Sequence, residues 1–165
     1  MSSYIKYLGS MAILLLLLAF PVSASMVSFQ LVETGLNDRA VSGQHTRLWE
    51  SGLMSVFFDA GYIVTSGPIT RMENKTEADF NGLIELDFNE AIRGGADYFI
   101  VGLIAYNTNM GRATPVSIVL QVYDSNSRQL IHEQNFAAGG GRNDTEELQL
   151  AQNAGRIMIS YIRGR

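Results

Sequence analysis

The run Tyr98-Phe-Ile-Val-Gly-Leu-Ile-Ala-Tyr106 constrains the fold more than any other stretch of this 165-residue chain. It is apolar almost throughout, so neither of its faces can rest in water, and it is too short for a buried helix. Such a run is a central strand covered on both faces, which calls for helices on either side of a sheet. The flanking sequence supplies them. From about Glu77 to Arg93, Phe80, Leu83, Ile84, Phe88, Ala91 and Ile92 recur at helical spacing, and Gly94-Gly95 ends the helix before the strand begins.

Upstream, Met26 to Glu33 alternates imperfectly and reads as a first strand. Ser42 is a plausible N-cap for a helix to about Ala60, with Trp49, Leu53, Val56 and Phe57 on its apolar stripe and Gly61 as its stop. Tyr62 to Ser66 follows as a short strand, completing a strand–helix–strand unit that favours a parallel neighbour. Pro68 to Glu77 is polar and reads as a long loop, and so does Asn107 to Ala113. Pro115 to Tyr123 and Gln129 to Ala138 form a hairpin, joined by Asp124-Ser-Asn-Ser-Arg128, whose side chains favour local bonds to the backbone. Asp144, with Glu147 three residues on, has the spacing of a capping box for a last helix ending at Gly164. The expected fold is therefore α/β: a mixed sheet of about five strands, with parallel strand–helix–strand units and a C-terminal antiparallel hairpin, packed with about three helices.

The amino terminus reads as something other than fold. Lys6, the apolar run Met11 to Phe20, then Pro21-Val-Ser-Ala24 match the three regions of a secretory signal, and the run stops short of the ~20 apolar residues that span a bilayer. Residues 1–24 are thus expected to be cleaved, between Ala24 and Ser25, leaving one α/β domain over 25–165. A chain with 47% apolar residues and only three prolines is not disordered. With 16 acidic against 12 basic residues it has no electrostatic reason to hold nucleic acid. Cysteine is absent, which removes disulfides, thiolate metal sites, cysteine nucleophiles and a cysteine-linked lipid anchor. Export without cysteine fits a bacterial periplasm.

Reactive constellations are scarce. His45 and His132 are the two histidines, and with no Gly-x-Ser-x-Gly elbow they read as a solvated helix-start residue and a satisfied sheet-face residue. A periplasmic hydrolase using either one with nearby carboxylates is the alternative reading. Two distant histidines make no metal site, and no cofactor is expected. Glu85, Asp87 and Glu90 fall between the apolar positions of the second helix and read as a solvated face instead of an acid–base pair. Gly139-Gly-Gly-Arg142 leads from strand to helix as an anion loop would, yet Asp144, Glu146 and Glu147 already compensate the helix dipole, so it reads as a linker.

The segment Gly95-Ala-Asp-Tyr-Phe-Ile-Val-Gly102, a polar loop, the strand Val116-Ser-Ile-Val-Leu-Gln-Val-Tyr-Asp124 with its return strand, and a terminal helix together resemble a group of small α/β envelope domains. The group includes the TolB amino-terminal region, the curli secretion component CsgG and the penicillin-binding-protein activator LpoB. The resemblance runs through the mature chain in order of elements, although Asp124 to Arg128 replaces the group's usual Thr-Gly turn. It implies a non-enzymatic periplasmic accessory protein that binds other envelope proteins.

Loops on a rigid scaffold are where recognition concentrates. Two carry Tyr, Met and Arg, the residue types enriched at interfaces: Arg71 and Met72 in the first, Tyr106, Asn109, Met110 and Arg112 in the second. These six are the expected partner contacts.

Overall fold

A computed structural model describes residues 24–36, 43–72, 77–109, 112–137 and 143–164. The leader expected over residues 1–24 lies, apart from Ala24, outside the described residues, as do Ser42, Met110 and the Gly139–Arg142 segment. The strands are β1 (Met26–Thr34), β2 (Ile63–Ser66), β3 (Thr70–Met72), β4 (Tyr98–Asn109), β5 (Arg112–Asp124) and β6 (Leu130–Ala137); the helices are α1 (Gln44–Asp59), α2 (Glu77–Arg93) and α3 (Asp144–Arg163). They build one mixed sheet in the order β2-β1-β4-β5-β6, with β3 also paired to β1. β1 is parallel to β2, β3 and β4, whereas β4–β5 and β5–β6 are antiparallel. The mixed sheet and the three helices are those expected. The central strand is bonded on both sides, as its apolar run requires.

The sheet has six strands because part of the expected loop after Pro68 returns to it. β1 is longer than either partner on that edge, so β2 pairs with Met26 to Phe29 and β3 with Val32 to Thr34. Between them Pro68 offers no N–H to a ladder. The gap is filled by Gln30, buried to 3% exposure, whose Nε2 donates to the Pro68 carbonyl at 3.0 Å and to Thr70 Oγ1 at 2.9 Å.

Three layers result. Val27, Phe29 and Leu31 of β1, Ile100 and Ile104 of β4, and Ile118, Leu120 and Val122 of β5 face α1 and α3. Phe99 and Val101 face α2, through Phe88 and Ala91. α1 and α3 run side by side in the same direction: Gln44 bonds Asp144 at their N-terminal ends (2.7 Å), and Arg163 donates to the Ala60 carbonyl at their C-terminal ends (2.7 Å). Ala-Gly positions make the close approach possible, Gly52 lying on Ala151 and Gly155 on Val56.

Three local expectations are corrected. The cap of α3 is Asn143, not Asp144: its side chain accepts from the Glu146 N–H at 2.9 Å while Glu146 returns a bond to the Asn143 N–H. The box is shifted by one residue because Glu147 is turned inward. The cap position of α1 is Gly43, which makes no side-chain bond to the helix. Finally, Asn107 to Asn109 and Arg112 to Ala113, expected in a loop, are strand. β4 and β5 continue pairing past a bulge at Ala105/Tyr106 as far as Asn109 opposite Arg112. The turn after β5 behaves as its composition suggests, with the Ser127 N–H bonded to Asp124 Oδ1 at 2.8 Å.

The Gly-Ala-Asp segment before β4 has a local purpose. Gly95 takes a φ of 85°, Ala96 is buried, and Asp97 accepts the Met26 N–H at 2.8 Å, tying the starts of β1 and β4 together. Among the described residues no helix is long and apolar enough to cross a membrane.

Candidate functional site

β1, β3 and β4 are parallel, so their carboxyl ends share one end of the sheet, the end where open α/β sheets place ligand sites. α1 and α3 bring their N-terminal turns to the same end. The side chains meeting there are polar yet buried: Glu33 is 1% exposed, Thr46 0%, Trp49 0%, Tyr106 6% and Glu147 1%. Burial of such groups is tolerated only when they are hydrogen-bonded.

The bonds form two chains. Thr46 Oγ1 donates to Glu33 Oε1 at 2.6 Å. Its single proton being committed, it accepts from the Tyr106 hydroxyl at 2.7 Å. Arg71 Nε lies 3.8 Å from the other oxygen of Glu33, so the chain runs Tyr106, Thr46, Glu33, Arg71 across β4, α1, β1 and β3. Separately, the Trp49 indole N–H donates to Glu147 Oε1 at 2.6 Å, joining α1 to α3. Burial, with further help from the charges of Glu33 and Glu147, pushes the Tyr106 hydroxyl up from 10 to about 12, against a smaller opposing effect of its bond to Thr46. The Tyr106 phenol is held neutral and the Thr46 hydroxyl donates its hydrogen bond to a carboxylate, so neither is set up as a nucleophile. The arrangement is a rigid floor, locking three strands and two helices in one geometry.

The sequence-derived contact residues that the structure describes, all but Met110, lie toward this end, in two kinds of setting. Arg71, opposite Glu33 on β3, is partly exposed, and Asn109 and Arg112 face each other at the tip of the β4–β5 hairpin. Tyr106 and Met72, expected in surface loops, are buried at 6% and 5% exposure. Met72 belongs to a three-residue strand that the sequence does not signal, and Tyr106, the last residue of the apolar run, lies inside a strand that continues to Asn109, so both side chains turn toward the core.

The other candidates are scattered. His132 stacks on Tyr161 with ring centroids 3.5 Å apart, and its Nε2 is 3.3 Å from Gln134 Oε1. His45 sits in the first turn of α1 with Nδ1 buried and without a partner among the described residues. Neither histidine bonds a carboxylate there. Glu85 and Glu90 are exposed, but Asp87 is half-buried, not solvated as expected. It lines a cavity of about 240 Å³ between α2, β1 and β2, where burial, and next the Glu90 charge, raise its pKa. No group of three or more possible metal ligands occurs among the described residues.

Sequence reasoning missed Glu33, Thr46, Trp49 and Glu147 as a set. A signal existed for the two carboxylates. Glu33 continues the inward alternation Val27, Phe29, Leu31, and Glu147 continues the inward stripe Ala151, Ala154, Met158. A charge at an inward position demands a buried donor.

Fold and floor together define a three-layer α/β domain with a polar, buried platform at the carboxyl end of its parallel strands. The family model described as "Uncharacterised protein" matches residues 26–135, and the chain belongs to that family. No curated protein matches the sequence. Among solved structures it is similar to the PelC dodecamer from Paraburkholderia phytofirmans, at 11% identity over 79% of this chain and 84% of that one, with a TM-score of 0.49. TolB from Acinetobacter baumannii is also similar, at 15% identity over 87% of this chain but 29% of TolB, with a TM-score of 0.45. So is the LpoB C-terminal domain from Salmonella enterica, at 13% identity over 74% of this chain and 88% of that one, with a TM-score of 0.40. TolB and LpoB belong to the group that the segments at 95–102 and 116–124 resemble.

One expected result follows from the floor. Tyr106→Phe keeps the ring and removes the hydroxyl, so it should cost about 1 kcal/mol at neutral pH. At alkaline pH the sign reverses. Below pH 10 the folded and unfolded chains both hold the phenolic proton; between 10 and about 12 the unfolded chain releases it first, so stability is lost as pH rises through that window. The variant lacks this loss. Tyr123, raised by burial and then by Glu133, keeps its own share in both proteins. Urea midpoints measured at about pH 9 and about pH 11 should therefore fall less for Tyr106→Phe than for the parent, and an equal fall would show that Tyr106 titrates normally.

Proposed function

We propose that the chain is a non-enzymatic accessory protein of the cell envelope, exported by a leader cut between Ala24 and Ser25, that holds a protein partner at the carboxyl end of its sheet. The observation that carries this reading is the placement of Arg71 and of the paired strand ends Asn109 and Arg112 at one end of the sheet, the end floored by the Glu33, Thr46 and Tyr106 chain. Contact residues on a floor that does not rearrange lose little entropy on binding. Arg71, Asn109, Met110 and Arg112 are the contact residues of this proposal. Met72 and Tyr106 hold the floor beneath them.

Capture of envelope proteins on the immobilised chain tests the proposal. Arg112→Ala should weaken capture about fivefold, the loss of roughly 1 kcal/mol at a contact arginine, with no change in melting temperature. Arg71→Ala should weaken it as well and lower the melting temperature, because Glu33 then loses its ion pair. Capture by Arg112→Ala equal to that of the parent would place the contact surface elsewhere.

A further inference from the structure

A second surface, away from the sheet's carboxyl end, leaves one large apolar side chain in water among polar neighbours. On the outer side of α1, Arg47, Ser51, Met54 and Phe58 follow one another at steps of four, three and four residues, the spacing of a helix-pairing seam, with Met54 at its inner border, partly buried against the core. Phe58 is 71% exposed, more than any other large hydrophobic residue described. Beside it runs an open groove of about 550 Å³ between α1 and the edge strand β2, bordered by Glu50, Asp59 and Val64. Neither Arg47 nor Asp59 has an ion-pair partner within the chain among the described residues.

We propose that this face of α1 binds the same face of a second copy of the chain, the two helices antiparallel about a two-fold axis near Gly52 and Leu53. The charges choose the occupant and the direction. With Glu50 turned to β2, where it accepts from the Ser66 hydroxyl at 2.6 Å, the seam itself carries a cation, Arg47, at its N-terminal end and an anion, Asp59, at its C-terminal end, so it is complementary to itself only when reversed; a parallel pairing would set Arg47 on Arg47 and Asp59 on Asp59. In the antiparallel arrangement Arg47 lies over Phe58 of the second copy, with its guanidinium in reach of Asp59 there, and Ser51 lies opposite Met54. The small serines at 51 and 55 let the helices approach. A two-fold interface makes every contact twice, so the exposed phenyl ring of each copy is covered by the same act. The surface is independent of the partner site above, and its failure leaves that proposal standing.

Sedimentation of the full chain decides the matter. The parent should be a dimer. Arg47→Asp and Asp59→Arg should each raise the dissociation constant about tenfold or more, since each places two like-charged pairs across the axis. Mixed in equal amounts, the two variants should form a dimer about as tight as the parent's, because in the mixed pair both contacts again join Arg to Asp. Circular dichroism melts of each variant confirm that it is folded. A parent chain that stays monomeric up to about 100 μM, single variants that dimerise as the parent does, or a mixture no tighter than its components would each overturn the proposal. So would an α1 face covered by a different protein in a chain that does not self-associate.

Discussion

Replacing Trp49 by Ala is expected to cost about 4 kcal/mol or more, a large share of the stability of a typical domain. The side chain is fully buried between α1, α3 and the sheet, and its ring packs on Phe136 at a centroid distance of 5.9 Å. Truncation leaves a cavity that helices held by Ala and Gly contacts cannot close. It also removes the indole donor from Glu147, a carboxylate 1% exposed, so a buried acceptor loses one of its bonds where water does not reach. Trp49→Phe separates the two causes, keeping most of the ring and losing the donor; it should cost about 2 kcal/mol. Urea unfolding reads both, and a Trp49→Phe midpoint equal to the parent's would mean that the bond to Glu147 contributes nothing.

Enlarging Gly52 should be nearly as damaging, for the opposite reason. A Cβ there would lie 2.6 Å from the Ala151 Cβ and 3.1 Å from the Leu148 carbonyl oxygen. Neither neighbour is the end of a flexible side chain, so the conflict is relieved only by moving α3 off α1. Gly52→Ala adds that single carbon while gaining about 1 kcal/mol of helix propensity, and the two effects should partly cancel. Gly52→Val adds two more methyl groups at the crossing without further propensity gain, and should cost about 3 kcal/mol through overpacking. Thermal unfolding of the pair is the check: a Val variant as stable as the Ala variant would show that the helices can part freely here.

Much of this architecture was legible because it depends on patterns shorter than a turn or two of chain. The apolar run at Tyr98 to Tyr106 marked the covered central strand, and α2 begins and ends where its periodicity and Gly94-Gly95 place it. Asp124 to Arg128 formed its turn from local side-chain bonds. The errors share a cause as well. Arg71 and Met72 read as loop because three residues make too weak a signal for a strand; β1 recruits them because its own outer edge would otherwise be unpaired. Tyr106 closes the expected strand yet also counts with the loop after it, because Asn107, Thr108 and Asn109 look like turn formers; pairing with β5 carries these three as strand.

The candidate site divides along the same line. The sequence by itself determined the α/β class, the order of the elements, the absence of thiol chemistry and the acidic balance, since each is written in composition or in spacing along one segment. It also determined that Glu33 and Glu147 stand at inward positions. Only the tertiary structure decided that Glu33 meets Thr46 and Arg71, and that Glu147 meets Trp49, 98 residues away along the chain. Periodicity states which way a side chain points; what it meets there depends on how the layers stack, and burial turns that meeting into a requirement, because a polar group removed from water must find its partner inside.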